Sequence, residues 1–187
     1  TDIASATNQN YSPNALTETT EYKRLVKIIS CSDNESNTIT VTVQSLPTAG
    51  SIGSDQTICN GDTPAFLTNA MSGTGSGAIT YKWQSSTTDA SSGFADIAGQ
   101  TGATYAPGAL TQTTWFRRIT VSTQNSVACE SNPTATVQIT VQSTPTAGEI
   151  GSAQTICNGD TPASLTSTTD GTGSGSIAYK WQSSTTD

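Results

Sequence analysis

The chain of 187 residues carries a formal net charge of −7, has no histidine, and is only 11% charged and 33% hydrophobic. So acidic a chain lacks the clustered Lys and Arg that neutralise nucleic-acid phosphates or dock on an anionic membrane surface. No apolar run approaches the ~20 residues of a membrane span. The acidity reads instead as solubility outside the cell.

Taken from the N-terminus, the chain repeats itself. The stretch DIASATNQNYSPNALTETTEYKRL (2–25) aligns with DIAGQTGATYAPGALTQTTWFRRI (96–119) at an offset of 94, which becomes 98 at Cys31 and Cys129. The later copy therefore holds four more residues just before its cysteine, which predicts a length-variable hairpin loop there. The segment 47–89, PTAGSIGSDQTICNGDTPAFLTNAMSGTGSGAITYKWQSSTTD, returns at 145–187, with Cys157 following Cys59 and Trp181 following Trp83 by 98 residues. A fixed period of this size means a tandem array. Residues 1–46 read as the C-terminal half of a repeat, 47–144 as a complete repeat, and 145–187 as the N-terminal half of the next. The chain reads as a stretch of something longer. Each half would expose an apolar face and an open strand edge, and 145–187 followed by 1–46 would restore a whole repeat.

Within the complete repeat, short β-branched and aromatic runs alternate with turn residues, and no window shows an apolar period of 3.6. Gln56–Cys59 is a predicted strand closed by Asn60-Gly61-Asp62. A second covers 65–68, with Phe66 outward and Leu67 inward. Gly73-Thr74-Gly75-Ser76-Gly77 reads as a flexible hairpin loop. Ile79, Tyr81 and Trp83 alternate with Thr80, Lys82 and Gln84, one face buried and the other exposed. Tyr105-Ala106-Pro107-Gly108 is a turn signal. A longer strand covers 115–121, with Trp115 facing out and Phe116 in, and Val137, Ile139 and Val141 mark the last. The expected core is Ile79, Tyr81, Trp83, Leu67, Phe116, Val137, Ile139 and Val141. Of the adjacent Arg117 and Arg118, one must point outward and the other be paired. An Asp96–Arg118 ion pair is the expected solution.

Chemistry is sparse. The glycine-rich loop precedes a strand rather than the helix a phosphate site requires. Asn60-Gly61-Asp62 lacks the spaced carboxylates of an EF-hand. No cofactor is expected, although an incidental Ca²⁺ at an inter-repeat junction fits the composition. Without His there is no partner for a nucleophilic Cys or Ser and little basis for zinc, so no catalytic residue is assigned and the chain does not read as an enzyme. A complete repeat contains one cysteine of each class. Cys59–Cys129 is thus the natural disulfide, with Cys31 and Cys157 paired outside the fragment; buried free thiols are the alternative.

The ordered set QTICNGDTPA, YKWQSST, the 96–119 stretch, a Cys and an alternating final strand resembles the Ig-like or PKD-like repeats of giant Bacteroidetes cell-surface adhesins. Gliding-motility adhesins of the SprB type, cargo of type IX secretion, carry such repeats. The resemblance implies an all-β fold of tandem immunoglobulin-like β-sandwich repeats of about 98 residues. It also implies export to the cell surface and a structural role as stalk in a long adhesin filament. The partners would be neighbouring repeats and other filament copies, with a surface or polysaccharide ligand bound through other parts of the protein. The competing reading is a carbohydrate-binding module, for which Trp115 and Tyr105 would begin an exposed aromatic row.

Overall fold

The computed structural model describes residues 1–151 and 153–185. Among these there is no helix, and the secondary structure is strand, turn and bend. The first half repeat contains β1 (Thr20–Tyr22), β2 (Leu25–Val26), β3 (Asn34–Glu35) and β4 (Ile39–Val41). The complete repeat contains β5 (Ser51–Ile52), β6 (Gln56–Cys59), β7 (Asn69–Met71), β8 (Ala78–Ser86), β9 (Ala95–Asp96), β10 (Thr114–Gln124), β11 (Val127–Glu130) and β12 (Val137–Gln142). In the last segment lie β13 (Glu149–Ile150) and β14 (Ser167–Thr169).

One large sheet dominates the complete repeat, in the order β6-β12-β10-β8-β9, with β11 also paired to β10. Its longest seam runs antiparallel from Trp115 opposite Ser86 to Thr123 opposite Ala78. The edge strand β6 joins β12 in parallel, with Ile139 beside Gln56 and Gln142 beside Cys59. The turn between β10 and β11 is Asn125-Ser126, both at positive φ (50° and 65°). Two such residues match the twist that a tight antiparallel hairpin needs. This is the loop whose length varies between copies.

Alternation along the central strands sorts the two faces. On β10, Thr114, Phe116, Arg118, Thr120 and Ser122 turn inward, and on β8 Tyr81 and Trp83 do the same. Over this face lie the β5–β7 pair and the Leu67–Tyr105 bridge. Leu67, Trp83, Phe116, Val137 and Ile139 form the buried cluster, backed by Ile52, Ile58, Ile97, Tyr105 and Leu110. The Tyr105 ring packs between Trp83 and Phe116, at 5.6 and 5.8 Å between centroids. Trp83 places its indole N–H on the Gly102 carbonyl at 2.9 Å, so its one polar atom is satisfied in the core.

Three expectations change. Ile79 and Val141 are only half-buried, because their registers with Ser122 and Ile58 put them near opposite ends of the sheet. The segment 65–68 is not a strand. The Gln56 side chain occupies both backbone groups of Ala65, which leaves only Leu67 to bridge to Tyr105. Lys82 and Gln84 face outward but are half-buried rather than exposed, because Lys82 is held by Glu130 and Asp96, and Gln84 by Arg117 and Asp96.

The expected Asp96–Arg118 pair is not formed. Asp96 lies on the outer face, where Gln84 and Lys82 hold its carboxylate. Arg118 points inward and is fully buried. Its Nη1 donates to Asn69 Oδ1 (2.9 Å) and the Ala103 carbonyl (2.6 Å), and its Nη2 to the Met71 carbonyl (3.0 Å) and, at 3.4 Å, that of Ser51. The guanidinium carbon sits 4.2 Å from the Tyr81 ring centroid. Desolvation pushes the guanidinium pKa below its ordinary value, yet an arginine stays charged in proteins. Among the described residues no carboxylate balances it, and carbonyl dipoles and a ring face take that role. Arg117 points outward, over the Phe94 ring at 3.9 Å.

Trp83→Ala should lower the unfolding free energy by about 3–5 kcal/mol in a denaturant titration. A loss below 1 kcal/mol would contradict the core described here.

Arg118→Ala should cost a similar amount, roughly 3–5 kcal/mol, because it strands several buried acceptors at once. Asp96→Asn should cost under about 1 kcal/mol, the scale of a surface ion pair. Equal losses from the two substitutions would restore the ion-pair reading.

Candidate functional site at the repeat junction

The chain passes from the first half repeat into the complete one through Ser45-Leu46-Pro47-Thr48-Ala49-Gly50. This linker is not slack. Ser45 N–H donates to Ser76 Oγ at 3.1 Å, and the two serine hydroxyls lie 2.8 Å apart. Thr48 N–H donates to the Thr74 carbonyl at 2.8 Å, Thr74 N–H returns to Thr48 Oγ1 at 2.9 Å, and the hydroxyls meet at 2.8 Å. Thr120 Oγ1 donates to the Ala49 carbonyl at 3.1 Å. Pro47 is buried here and carries no N–H that would need a partner.

Each of these partners belongs to the glycine-rich loop or to β10 behind it, so Gly73–Gly77 is a docking surface rather than a flexible connection. A Cβ on Gly73 would collide with the Thr48 carbonyl and the Thr120 side chain, and one on Gly77 with the Thr123 carbonyl. The loop needs glycine for close approach. The second junction has the same pattern 98 residues on. Ser143 N–H donates to Ser174 Oγ at 2.8 Å, Thr146 N–H to the Thr172 carbonyl at 2.8 Å, and the two threonine hydroxyls lie 2.7 Å apart.

Gln44, three residues beyond the end of β4 and just before the linker, reaches across. Its Nε2 donates to the Val127 carbonyl at 2.8 Å, and its Oε1 lies 3.5 Å from Ser122 Oγ. Thr42, Val43 and Gln44 of one repeat face Gln124, Asn125, Val127 and Cys129 of the next across a cleft of about 300 Å³.

The expected Cys59–Cys129 bridge is absent: Cys31, Cys59, Cys129 and Cys157 are all free thiols. Register gives the reason. Cys59 pairs with Gln142 at one end of the sheet, and Cys129 pairs with Ser122 at the other. Extending the β10–β12 register separates them by 11 residues of strand, roughly 36 Å. A disulfide needs Cα atoms within about 7 Å. Three of the four thiols are exposed and Cys129 is half-covered, so the buried-thiol alternative is not observed either.

Among the described residues no three metal-ligating side chains come together. The Asn60-Gly61-Asp62 turn is tied down by backbone bonds, Asn60 N–H to the Gln142 carbonyl and Gly61 N–H to that of Leu110. Trp115 and Tyr105 do not share a surface. Trp115 lies on the outer face and Tyr105 in the core, so the two cannot start an aromatic row.

The complete repeat is an all-β domain joined at each end to the adjoining segment of the chain by the same hydroxyl and backbone pairs. A family model described as domain of unknown function (DUF8696) matches residues 1–45, 48–143 and 146–187, and the chain belongs to that family. No curated protein matches the chain.

Gly73→Ala should destabilise by about 1–3 kcal/mol, the scale of overpacking against backbone. It should also speed proteolytic cleavage in the linker 45–50. Unchanged cleavage would mean that the loop does not hold the junction closed.

Proposed function

We propose that this chain is stalk from a long cell-surface adhesin filament, built of tandem immunoglobulin-like (PKD-like) β-sandwich repeats and serving gliding motility or surface attachment. The observation that carries the reading is the junction repeated at a 98-residue spacing, Ser45–Ser76 with Thr48–Thr74 and again Ser143–Ser174 with Thr146–Thr172. A junction that recurs with the same partners propagates one rotation and one translation per repeat, which generates an open filament. Its hydroxyl–backbone pairs and its proline limit bending.

A second observation supports it. Trp181, Tyr179 and Leu165 are exposed in the last segment, whereas their counterparts Trp83, Tyr81 and Leu67 are buried. Ile39 and Val41 of the first segment are likewise exposed where Val137 and Ile139 are buried. Each open face is the one that the other half of a repeat covers. The two-layer build, the period near 100 residues and the buried Trp on a central strand fit the immunoglobulin-like class. The repeat departs from antibody-type domains in lacking the inter-sheet disulfide. In this reading the segment works by reach and stiffness, its partners are neighbouring repeats, and any surface or polysaccharide ligand is taken elsewhere in the protein.

The test is length. Small-angle scattering on proteins with one, two and three added complete repeats should show the maximum dimension growing by roughly 40 Å per repeat. Growth of the radius with the cube root of mass would mean compact packing and would defeat the filament reading.

A further inference from the structure

Each complete repeat carries one thiol at each end. Cys59 closes β6 in register with Gln142, where the chain leaves for the next repeat. Registered neighbours in a sheet share a face, so the Cys59 and Gln142 side chains lie together. Cys129 lies on β11 opposite Ser122, at the end where the chain arrives. Gln44 holds in the preceding repeat the position that Gln142 holds in this one. Its side chain contacts Val127 and approaches Ser122, the register partner of Cys129. Residues 42–44 and Cys129 line the same cleft.

The two junctions are thus two views of one arrangement. The first shows a Cys129-type thiol facing the exit glutamine of the preceding repeat. The second shows a Cys59-type thiol beside that glutamine, and the Gln142 side chain lies against Gly175 of the following repeat. Shifted by the 98-residue period, both thiols come to the same glutamine.

We infer that consecutive repeats are stapled by a disulfide from the Cys59-type cysteine of one repeat to the Cys129-type cysteine of the next. This rests on the filament reading above, since neither partner of Cys59 or Cys129 lies in the same repeat. Formation removes two protons and two electrons from the thiol pair. A disulfide-bearing oxidant accepts them, its own S–S bond breaking to two thiols.

The connectivity has a mechanical consequence. A staple bypasses the chain from one cysteine to the other, and the next cysteine able to start a staple follows 28 residues later, as Cys157 follows Cys129. The shortest covalent path through two repeats is then about 28 residues plus a bridge, roughly 100 Å fully extended. Two folded repeats, at about 40 Å each, already span roughly 80 Å. A stapled filament therefore cannot lengthen much under tension, even when a domain within it unfolds.

Two copies of the full chain, fused head to tail through residues 90–94, restore a complete repeat at the seam and supply both partners. After refolding with reduced and oxidised glutathione, peptide mapping without reduction should find two bridges. These are Cys59 of the first copy with Cys31 of the second, and Cys157 of the first with Cys129 of the second. The other four thiols should alkylate. Cys59→Ser in the first copy should remove only the first bridge. A Cys59–Cys129 bridge within one copy, or eight alkylated thiols, would overturn the staple. Scattering from the reduced fusion separates the two ideas. An extended reduced particle whose glutathione-refolded form maps no bridges defeats the staple alone, and a compact one defeats both.

Discussion

The interaction on which the complete repeat depends is a positive charge buried between its layers with no negative partner among the described residues. Arg118 leaves β10, crosses beneath the Tyr81 ring, and ends on the backbone carbonyls of Met71, Ser51 and Ala103 and the side-chain oxygen of Asn69. A desolvated cation is costly unless its donors are met. Here the four Nη donors are met by strands and a loop that otherwise have few apolar side chains to contribute. The guanidinium thus serves as a fastener where a larger hydrophobic core would do so in another domain. Its rigid fork suits several acceptors at fixed angles, which a lysine could not match. One nitrogen, Nε, is buried without a partner.

Backbone acceptors also explain what the sequence is free to change. The two front segments differ in all four residues from Asn69 to Ser72, which become Ser167, Thr168, Thr169 and Asp170. Such replacement across a strand that pins a buried charge would be damaging if side chains did the pinning. Two of the four acceptors, the carbonyls of Ser51 and Met71, survive the substitutions at their own positions because they are backbone. The back half keeps the same logic. Arg24 donates to the Gln9 carbonyl at 3.0 Å, the counterpart of the Arg118–Ala103 contact, and Ser36 does for Arg24 what Thr134 does for Arg118.

The junction uses the same economy. Serine and threonine hydroxyls and backbone amides meet along the linker, because glycines of the loop let the backbones approach. A polar seam of this kind stays closed by geometry rather than by apolar area. The outer face follows suit, with Lys82 held by Glu130 first and by Asp96, and its pKa raised by both. That contribution is complete at neutral pH and fades only as pH climbs through the raised folded value, and its partial exposure keeps it small.

The sequence by itself determined the period, the all-β class and the inward positions of Leu67, Tyr81, Trp83, Phe116, Val137 and Ile139. These are properties of local alternation and of self-similarity, which need no knowledge of what packs on what. It also located the variable hairpin before Cys129, the outward turn of Phe66 and Trp115, and the need for one of Arg117 and Arg118 to turn outward. Tertiary structure alone decided the partners of Arg118, because a carbonyl can be offered by any residue and leaves no mark in composition. It alone turned Gly73–Gly77 from a loop into a docking surface, since close approach is a relation between two distant segments. And it alone separated Cys59 from Cys129. One of each per repeat suggests a pair, but the strand register, set by the whole sheet, puts them at opposite ends.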